Sequence, residues 1–233
     1  MAEKARRIEL RTGGGEVILS LIFIEKEISK EKINGNGITL DRLYRILEAD
    51  WYAQKVDTKI HYKEGETEMN LMVMAKELLS QYLSEPLKAV MGSEIPFTIP
   101  LVNPVTGESL NINLEGYIDL VEKDETIVEF KTSNQTMDQK SVDDHLQLTA
   151  YSYAFEMLHR RPPKGLRIVN FVKNKKPKVV PFETQRSPAD YQRFFYLAGQ
   201  ILKGIESQVF FPRASFMCKD CEFAAPCRKW QGD

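Results

Sequence analysis

The chain has 233 residues, and 42% of them are hydrophobic, which is enough to fill a sizeable core and excludes a disordered tail or a mini-protein. Its 32 basic and 33 acidic side chains nearly cancel, so any contact with a polyanion must be local. The longest apolar run, from Val17 to Ile24, is far shorter than the roughly 20 residues of a membrane span. Glu3 and Lys4 precede any apolar run, and this is not the order of residues in a secretory signal. We therefore expect a cytoplasmic protein without a transmembrane helix.

The N-terminal third is predicted to contain a strand and two helices. β-Branched residues favour a strand from Glu16 to Ile28, and Thr39 or Asp41 can cap a short helix that ends near Ala49. The segment from Glu68 to Leu83 has apolar residues at helical spacing, which predicts an amphipathic helix packed inward. These apolar residues are Leu71, Ala75, Leu78 and Tyr82.

Three consecutive strands are predicted next, and short turns between them favour antiparallel pairing. The first spans Glu94 to Leu101, the second begins at Leu110 with an alternating pattern, and the third spans Thr126 to Thr132. Turns are predicted around Asn103-Pro104, Gly107 and Lys123-Asp124. In the third strand, alternation places Glu129 and Lys131 on one face.

The second half of the chain is predicted to alternate helices with strands. One long helix is expected from Asp138 to His159, followed by strands at Leu166 to Val172 and Lys178 to Phe182. Ser187 can cap a last helix, with Pro188 as its first residue, that runs to about Ser207. This order predicts an α/β (α+β) fold with a mixed sheet flanked by helices.

The most informative residues are two carboxylates and an ammonium group on neighbouring strands. Asp119 lies near the end of one strand, and Glu129 with Lys131 lies on the next. Two carboxylates that converge repel each other unless a divalent cation neutralises them, and hard oxygen ligands favour Mg²⁺ or Mn²⁺ over zinc. Lys131 could orient or help to deprotonate an activated water, which indicates phosphodiester hydrolysis. The alternative is a solvent-facing salt bridge between Glu129 and Lys131, with Asp119 as a turn residue.

Two further polar side chains strengthen the catalytic interpretation. Gln147 and Tyr151 are one turn apart on the predicted long helix, so both can reach the same end of the sheet. The acidic pair also follows a Gly116-x-Ile118-Asp119 turn.

The order Gly-x-Ile-Asp, Glu-x-Lys, Gln-x-x-x-Tyr resembles the RecB-like branch of the PD-(D/E)XK nuclease superfamily, from about Glu64 to Trp230. The resemblance implies a restriction-endonuclease-like core. It also implies that Asp119, Glu129 and the Phe130 carbonyl bind the metal, that Lys131 assists the water, and that Gln147 and Tyr151 line the site and contact DNA.

The same resemblance implies one more ligand on the first core helix, where family members carry a histidine or a glutamate. Glu68 is our candidate because it lies on the inward stripe, and Glu66 is the competing assignment. The alternative is a solvated glutamate that only favours the helix dipole.

We expect a single nuclease domain, with residues 1–63 as an N-terminal appendage, 64–185 as the PD-(D/E)XK core, and 186–233 as a C-terminal helix and cysteine region.

The three cysteines form one compact motif, Cys218-x-x-Cys221-x5-Cys227, which suits a metal or cluster site better than a disulfide framework. The alternative is three unrelated buried thiols. Similarity to AddB-type and CRISPR adaptation nucleases implies a 4Fe-4S cluster whose fourth ligand is an N-terminal cysteine. This chain has no fourth cysteine, and Asp50 stands at the matching place, so we hypothesise that Asp50 completes the cluster. A three-iron cluster, zinc or no cluster remain open.

Eight Lys or Arg residues occur between Arg160 and Lys178 with no acidic residue among them. A hairpin at Lys173 to Lys178 would present a basic tip that can hold a phosphate backbone, or it is an ordinary solvated hairpin. We interpret Phe194, Phe195 and Tyr196 as core residues, at helical spacing with Leu197 and Ile201, rather than as base-stacking residues.

Together these features predict a metal-dependent DNA nuclease, most simply an exonuclease on single-stranded DNA or DNA ends. Resemblance suggests a phage, CRISPR-adaptation or DNA-repair setting, with a separate helicase or an adaptation complex as partner. The rival hypotheses are a catalytically idle DNA-binding or assembly module of the same fold and an RNA-directed enzyme.

Overall fold

The computed structural model describes residues 39–57, 62, 65–85, 88–209, 211–215, 218, 221 and 223–229, so the strand predicted for Glu16 to Ile28 lies outside the described residues. The helices are α1 Leu40–Asp57, α2 Glu68–Ser84, α3 Gln139–Asp143, α4 Leu146–His159, α5 Pro188–Glu206 and α6 Ala224–Lys229. The strands are β1 Val90–Val102, β2 Ser109–Glu122, β3 Thr126–Ser133, β4 Gly165–Val172 and β5 Lys178–Thr184.

In the described residues, five strands form a mixed sheet as the middle layer, in the order β1-β2-β3-β4-β5. The first three strands form an antiparallel meander, as predicted. β3 and β4 are parallel, so the chain crosses over through α3 and α4, and β5 pairs antiparallel with β4. The predicted α/β architecture with a mixed sheet is confirmed.

Helices cover both faces of the sheet and give two hydrophobic cores. On one face, Trp51 of α1 and Leu78 of α2 pack in the cluster that contains Phe130 of β3. On the other face, Leu148 of α4 and Phe195 of α5 belong to the cluster that contains the alternate strand residues, such as Ile127 and Ile168. Glu129 and Lys131 share the strand phase of Ile127, so they point toward the α4 face.

The first helix is longer than the sequence predicted, because it continues past Ala49 to Asp57. The Thr39 hydroxyl caps it by accepting the Arg42 N–H at 3.3 Å. Trp51 lies one turn beyond Leu47 and is buried in the same cluster, so its burial favours the extra turns.

The single helix predicted from Asp138 to His159 is wrong, because the structure has two helices with a break at Asp144 and His145. Asp138 caps α3 by accepting the Ser141 N–H at 2.9 Å. At the break, His145 has extended backbone angles, and its N–H bonds to Val142 O at 3.2 Å. The orphaned carbonyls at this junction are taken by a side chain from a distant part of the chain, described below.

The last long helix begins as predicted, with a reciprocal capping box between Ser187 and Asp190 and with Pro188 in the first turn. The burial of its apolar residues differs from the prediction. Phe195 is buried, whereas Tyr196, Leu197 and Ile201 are exposed. The core interpretation is therefore confirmed for Phe195 and for the half-buried Phe194, which packs against the same cluster, and it is wrong for Tyr196.

Both edge strands of the sheet carry proline at paired positions. Pro96 and Pro100 of β1 lie opposite Tyr117 and Asn113, and Pro181 of β5 lies opposite Val169. Proline has no N–H to give, so strands with proline are confined to sheet edges or bulges. Across the described ranges, none of the helices has both the length and the apolar content that crossing a membrane requires.

Candidate active site

The two predicted carboxylates meet where β2 and β3 separate. These strands pair only at Leu120–Val128 and Val121–Ile127, and beyond this point they diverge into a fork. Asp119 and Glu129 are the next residues on each side of the fork. Asp119 Oδ2 accepts the Phe130 N–H at 3.5 Å, which holds its carboxylate against β3.

Glu129 is buried, with 1% of its surface exposed, and it forms an ion pair with Lys131. Burial first, and then the negative charge of Asp119, raise the pKa of Glu129 from 4.5 to about 8, although Lys131 opposes both effects. The alternative of a solvent-facing Glu129 in a surface salt bridge is therefore wrong. A buried carboxyl of this kind becomes fully ionised near neutral pH only when more positive charge is placed beside it.

A hydrogen-bond network from α4 connects the three charged residues. Lys131 Nζ donates to Gln147 Oε1 at 2.7 Å, and Gln147 Nε2 donates to Glu129 Oε2 at 3.1 Å and to the Tyr151 hydroxyl at 2.6 Å. The Tyr151 hydroxyl donates to Asp119 Oδ1 at 3.2 Å. Burial and the charges of Glu129 and Asp119 raise the pKa of Tyr151, so it remains a proton donor. The structure thus brings together five of the predicted residues.

Gly116 allows an aromatic ring to support this network. A β-carbon at Gly116 would lie 2.8 Å from Cζ of Phe97, closer than real contacts allow. The Phe97 ring packs edge-on against Tyr151, with 6.3 Å between the ring centroids. Glycine at this position therefore leaves the space in which Phe97 fixes the ring that donates to Asp119.

Arg186, which sequence analysis missed, holds the helix that carries Gln147 and Tyr151. All three nitrogens of its guanidinium donate hydrogen bonds, and their acceptors lie at the end of β5, at the α3–α4 junction and in the first turn of α4. It donates to Thr149 Oγ1 at 2.7 Å, Thr184 Oγ1 at 2.9 Å, Gln185 O at 2.8 Å, Val142 O at 3.1 Å and His145 O at 3.1 Å. Burial lowers the pKa of Arg186. No motif or period in the sequence marks this residue, because its partners are mostly backbone carbonyls.

The donor set fits a hard divalent cation. The N–H and C=O of one strand residue point to the same side, so the Phe130 carbonyl points into the fork with its N–H. Asp119, Glu129 and this carbonyl together offer oxygen ligands only. Within the described residues, no three Asp, Glu, His or Cys side chains gather as a metal site. Mg²⁺ suits such a place because it commonly keeps several waters beside one or two carboxylates.

The sequence matches the family profile of the PD-(D/E)XK nuclease superfamily over residues 22–228. The chain belongs to this superfamily. It is thus a member of a nuclease family, and its mixed sheet with flanking helices is consistent with the restriction-endonuclease-like fold.

Solved structures similar to this PD-(D/E)XK chain include two with low sequence identity. SSO0001 aligns with a TM-score of 0.38 at 18% identity, over 58% of this chain and 59% of its own length. A candidate exonuclease from Eubacterium rectale aligns with a TM-score of 0.48 at 13% identity, over 96% of this chain and 94% of its own. No curated protein matches the sequence.

Glu68, the predicted extra ligand of the PD-(D/E)XK site, contacts a different partner. Its carboxylate accepts from Lys55 Nζ of α1 at 2.6 and 2.8 Å, and both side chains are partly exposed. Thr67, and not Glu68, caps α2. Among the described residues, neither Glu68 nor Glu66 groups with Asp119 and Glu129 as a metal site.

The cysteine motif is not gathered into a cluster site in the described part of the chain. Cys218 is half-buried, and Cys221 and Cys227 are exposed free thiols. The Cys218 sulfur accepts the Ser215 N–H at 3.2 Å. Asp50 lies half-buried on α1, and it forms no metal-holding group with the described cysteines. The alternative of three buried thiols is wrong, because two of them are exposed.

Proposed function

We propose that this PD-(D/E)XK chain is a metal-dependent deoxyribonuclease that hydrolyses phosphodiester bonds at the β2–β3 fork. Asp119, Glu129 and the Phe130 carbonyl would hold Mg²⁺ or Mn²⁺. The observation that carries this proposal is that Glu129 is buried beside Asp119 and that the pKa of Glu129 is raised to about 8. A bound cation would stabilise the ionised form of such a carboxyl.

When bound, a divalent cation would lower the pKa of an attacking water and neutralise charge on the phosphate. The side chains of the chain have separate tasks. Lys131 carries its ammonium at the open end of the network, where it can orient the water and stabilise developing negative charge. Gln147 fixes Lys131, and Tyr151 orients Asp119. The Tyr151 and Gln147 side chains also line the place where the DNA strand would pass.

The finer part of the proposal is exonuclease action on single-stranded DNA or DNA ends. The described residues form one three-layer unit around the sheet, without a second unit that would read base sequence. A site of this kind suits substrates defined by an end or a single strand more than by sequence.

The test is cleavage of end-labelled single-stranded and double-stranded DNA with Mg²⁺, Mn²⁺ or EDTA. Wild type is compared with Lys131→Ala and with Lys123→Ala, an exposed lysine of the β2–β3 turn as the matched control. We expect metal-dependent products that Lys131→Ala lowers at least a hundredfold and Lys123→Ala leaves unchanged. The label pattern identifies the end that is attacked.

The contrary result is a folded wild type that binds DNA but leaves it uncut with either metal. That result would replace the nuclease with the idle binding module. Faster cleavage of a matched RNA strand would instead assign the enzyme to RNA.

We also propose that the cysteines form part of a 4Fe-4S site of the AddB type, with Asp50 as fourth ligand. The support is the spacing of Cys218, Cys221 and Cys227 at one end of the chain. An anaerobic preparation should contain about four iron and four sulfide per chain, and Asp50→Ala should lower both. A preparation without iron or sulfide contradicts the cluster, and full content in Asp50→Ala contradicts only the aspartate ligand.

The proposed nuclease function also suggests a cellular setting. A separate helicase or a CRISPR adaptation complex would supply the DNA strand, in the cytoplasm. A pull-down that recovers neither from a DNA-processing extract would count against these partners.

A further inference from the structure

The structure divides the basic run from Arg160 to Lys178 into two groups at opposite ends of β4. Three residues of the first group form ion pairs, mostly with acidic residues near the β2–β3 turn. Arg161 pairs with Glu125, Lys164 with Asp124 at 3.8 Å, and Arg167 with Glu122 at 2.8 Å and Glu183 at 3.3 Å.

The second group lies on the connection between β4 and β5. Lys175, Lys176 and Lys178 are exposed, and none of them joins an ion pair in the part of the chain that the structure describes. Together with Asn174 they line a shallow groove of about 490 Å³. We call residues 173–178 the lysine tip.

Backbone contacts hold the lysine tip in place. Gln81 of α2 donates to Pro177 O at 2.8 Å and accepts the Val179 N–H at 3.1 Å. Lys173 N–H donates to Ser133 O at 2.7 Å, and Asn174 Oδ1 accepts the Lys176 N–H at 2.8 Å. The charges therefore project from a fixed turn, which lowers the entropy cost of binding a ligand there.

The lysine tip lies at the end of the sheet toward which the fork opens. Lys131 pairs in register with Asn170, and β4 ends at Val172 just before the tip. At a rise of about 3.3 Å per residue, the tip begins roughly 10 Å beyond Lys131. The first basic group lies at the other end of β4, beside the β2–β3 turn.

We propose that the lysine tip binds the phosphodiester backbone of the DNA strand on one side of the bond that is cleaved. This inference rests on the proposed nuclease function and adds the place where the substrate is held. Lysine side chains bind phosphate as point charges without reading bases, so the contact is independent of sequence. It makes the affinity dependent on strand length and on salt.

The binding test uses fluorescence anisotropy of a labelled 30-nucleotide strand in EDTA, so that no cleavage occurs. Wild type is compared with Lys175→Gln/Lys176→Gln and with the matched control Lys123→Gln/Lys164→Gln at the opposite end of the sheet. We expect the tip variant to bind about tenfold more weakly at 0.1 M salt. Its plot of log affinity against log salt should be shallower by about 1.4, because each phosphate contact on a single strand contributes about 0.7.

The control variant should bind within twofold of wild type. Equal losses in the two variants would overturn the proposal, because they would reflect net charge alone. A tip variant with wild-type affinity and slope would overturn it as well. Duplex DNA and RNA are measured in parallel. A tip-dependent loss on single-stranded or duplex DNA supports the proposal, whereas a loss confined to RNA would overturn it.

A cleavage test separates this proposal from the proposed function. Bis(p-nitrophenyl) phosphate is too small to reach the tip, so both variants should hydrolyse it at the wild-type rate. With the 30-nucleotide strand, the tip variant should lose about tenfold in kcat/KM through KM. If wild type hydrolyses neither substrate, the nuclease proposal fails, while the anisotropy result still decides the lysine tip.

Discussion

Glu129 makes the metal-free protein sensitive to pH in a direction opposite to most carboxylates. Folding raises its pKa from 4.5 to about 8, because the side chain is buried beside Asp119. The folded state therefore binds this proton more tightly than the unfolded state. The unfolding free energy should fall as pH rises from about 4.5 to 8, by up to about 5 kcal/mol from this group.

The measurement is denaturant unfolding in EDTA at pH values across this window. Glu129→Gln removes the titration and should flatten the dependence, whereas Glu115→Gln, an exposed residue of β2, should keep the wild-type slope. Added Mg²⁺ should stabilise wild type more at pH 8 than at pH 5. An unchanged slope in Glu129→Gln would show that this carboxyl is ionised in the metal-free fold.

Gly116 should not tolerate even a methyl group. In Gly116→Ala, the new β-carbon would press on the buried Phe97 ring, which supports Tyr151. We expect a loss of about 1–3 kcal/mol in stability and a fall in cleavage rate that remains when the assay is run well below the melting temperature. Both are measured by thermal unfolding and end-labelled DNA cleavage.

Gly204→Ala is the matched control for that substitution. Gly204 lies in α5 with nothing within 4 Å of an added β-carbon. This variant should be equal to or up to about 1 kcal/mol more stable than wild type, because alanine is the better helix former. Wild-type activity in Gly116→Ala would show that Phe97 can move without disturbing Tyr151.

At the scale of elements, α4 is held by side-chain hydrogen bonds at its first turn and near its middle. Arg186 holds its first turn, and the Tyr153 hydroxyl shares its one proton between the Pro100 and Val102 carbonyls of β1, at 3.0 Å each. The hydrogen-bond network of the proposed active site depends on this fixation, because Gln147 lies in the turn that Arg186 holds. In the proposed enzyme, we therefore expect Arg186 to act as a positioning residue through α4.

Arg186→Gln should lower kcat about tenfold with little change in KM, because a displaced Gln147 leaves Lys131 misplaced while the DNA contacts of the lysine tip remain. Arg186→Lys should recover part of the loss. The control is Tyr191→Phe, which removes a buried 2.7 Å hydrogen bond to Ser152 further along α4. That variant should lose about 1 kcal/mol in stability and keep its kcat. Equal kcat losses in both variants would indicate a general effect of destabilisation.

Local patterns were sufficient to predict most elements of this fold. In α2, the helical period holds along the whole segment because one face is buried, and a cap marks its start. β3 is buried on both faces, and its alternation of charged and apolar residues together with the preceding turn predicted it. The motif residues Asp119, Glu129, Lys131, Gln147 and Tyr151 were predicted to converge for the same reason, since strand alternation and helical spacing fix their directions.

Features set by distant contacts were beyond the sequence patterns. The helical period of α4 extends back toward α3, yet the chain breaks at His145 because Arg186 takes the Val142 and His145 carbonyls. Glu68 has the right position on its helix, but Lys55 is its partner. In each case, a contact with a residue on another element decides the local structure, and the local sequence pattern does not show that contact.

At the scale of the whole molecule, a net charge of −1 conceals an uneven arrangement. The β2–β3 end of the sheet has acids and bases in ion pairs, and the lysine tip at the other end has exposed lysines. A polyanion that approaches the protein would therefore be attracted at the end toward which the fork opens. Composition alone predicted only that such a patch must be local.

The prolines of β1 and β5 affect how the protein behaves in a crowded solution. An exposed edge strand normally offers a ladder of N–H and C=O groups on which a second chain can align, and this is a common start of amyloid-like aggregation. Pro96 and Pro100 on one edge and Pro181 on the other interrupt that ladder. Pairing with another chain is thus hindered at both edges of the sheet that the described residues form, while the strands inside it pair normally.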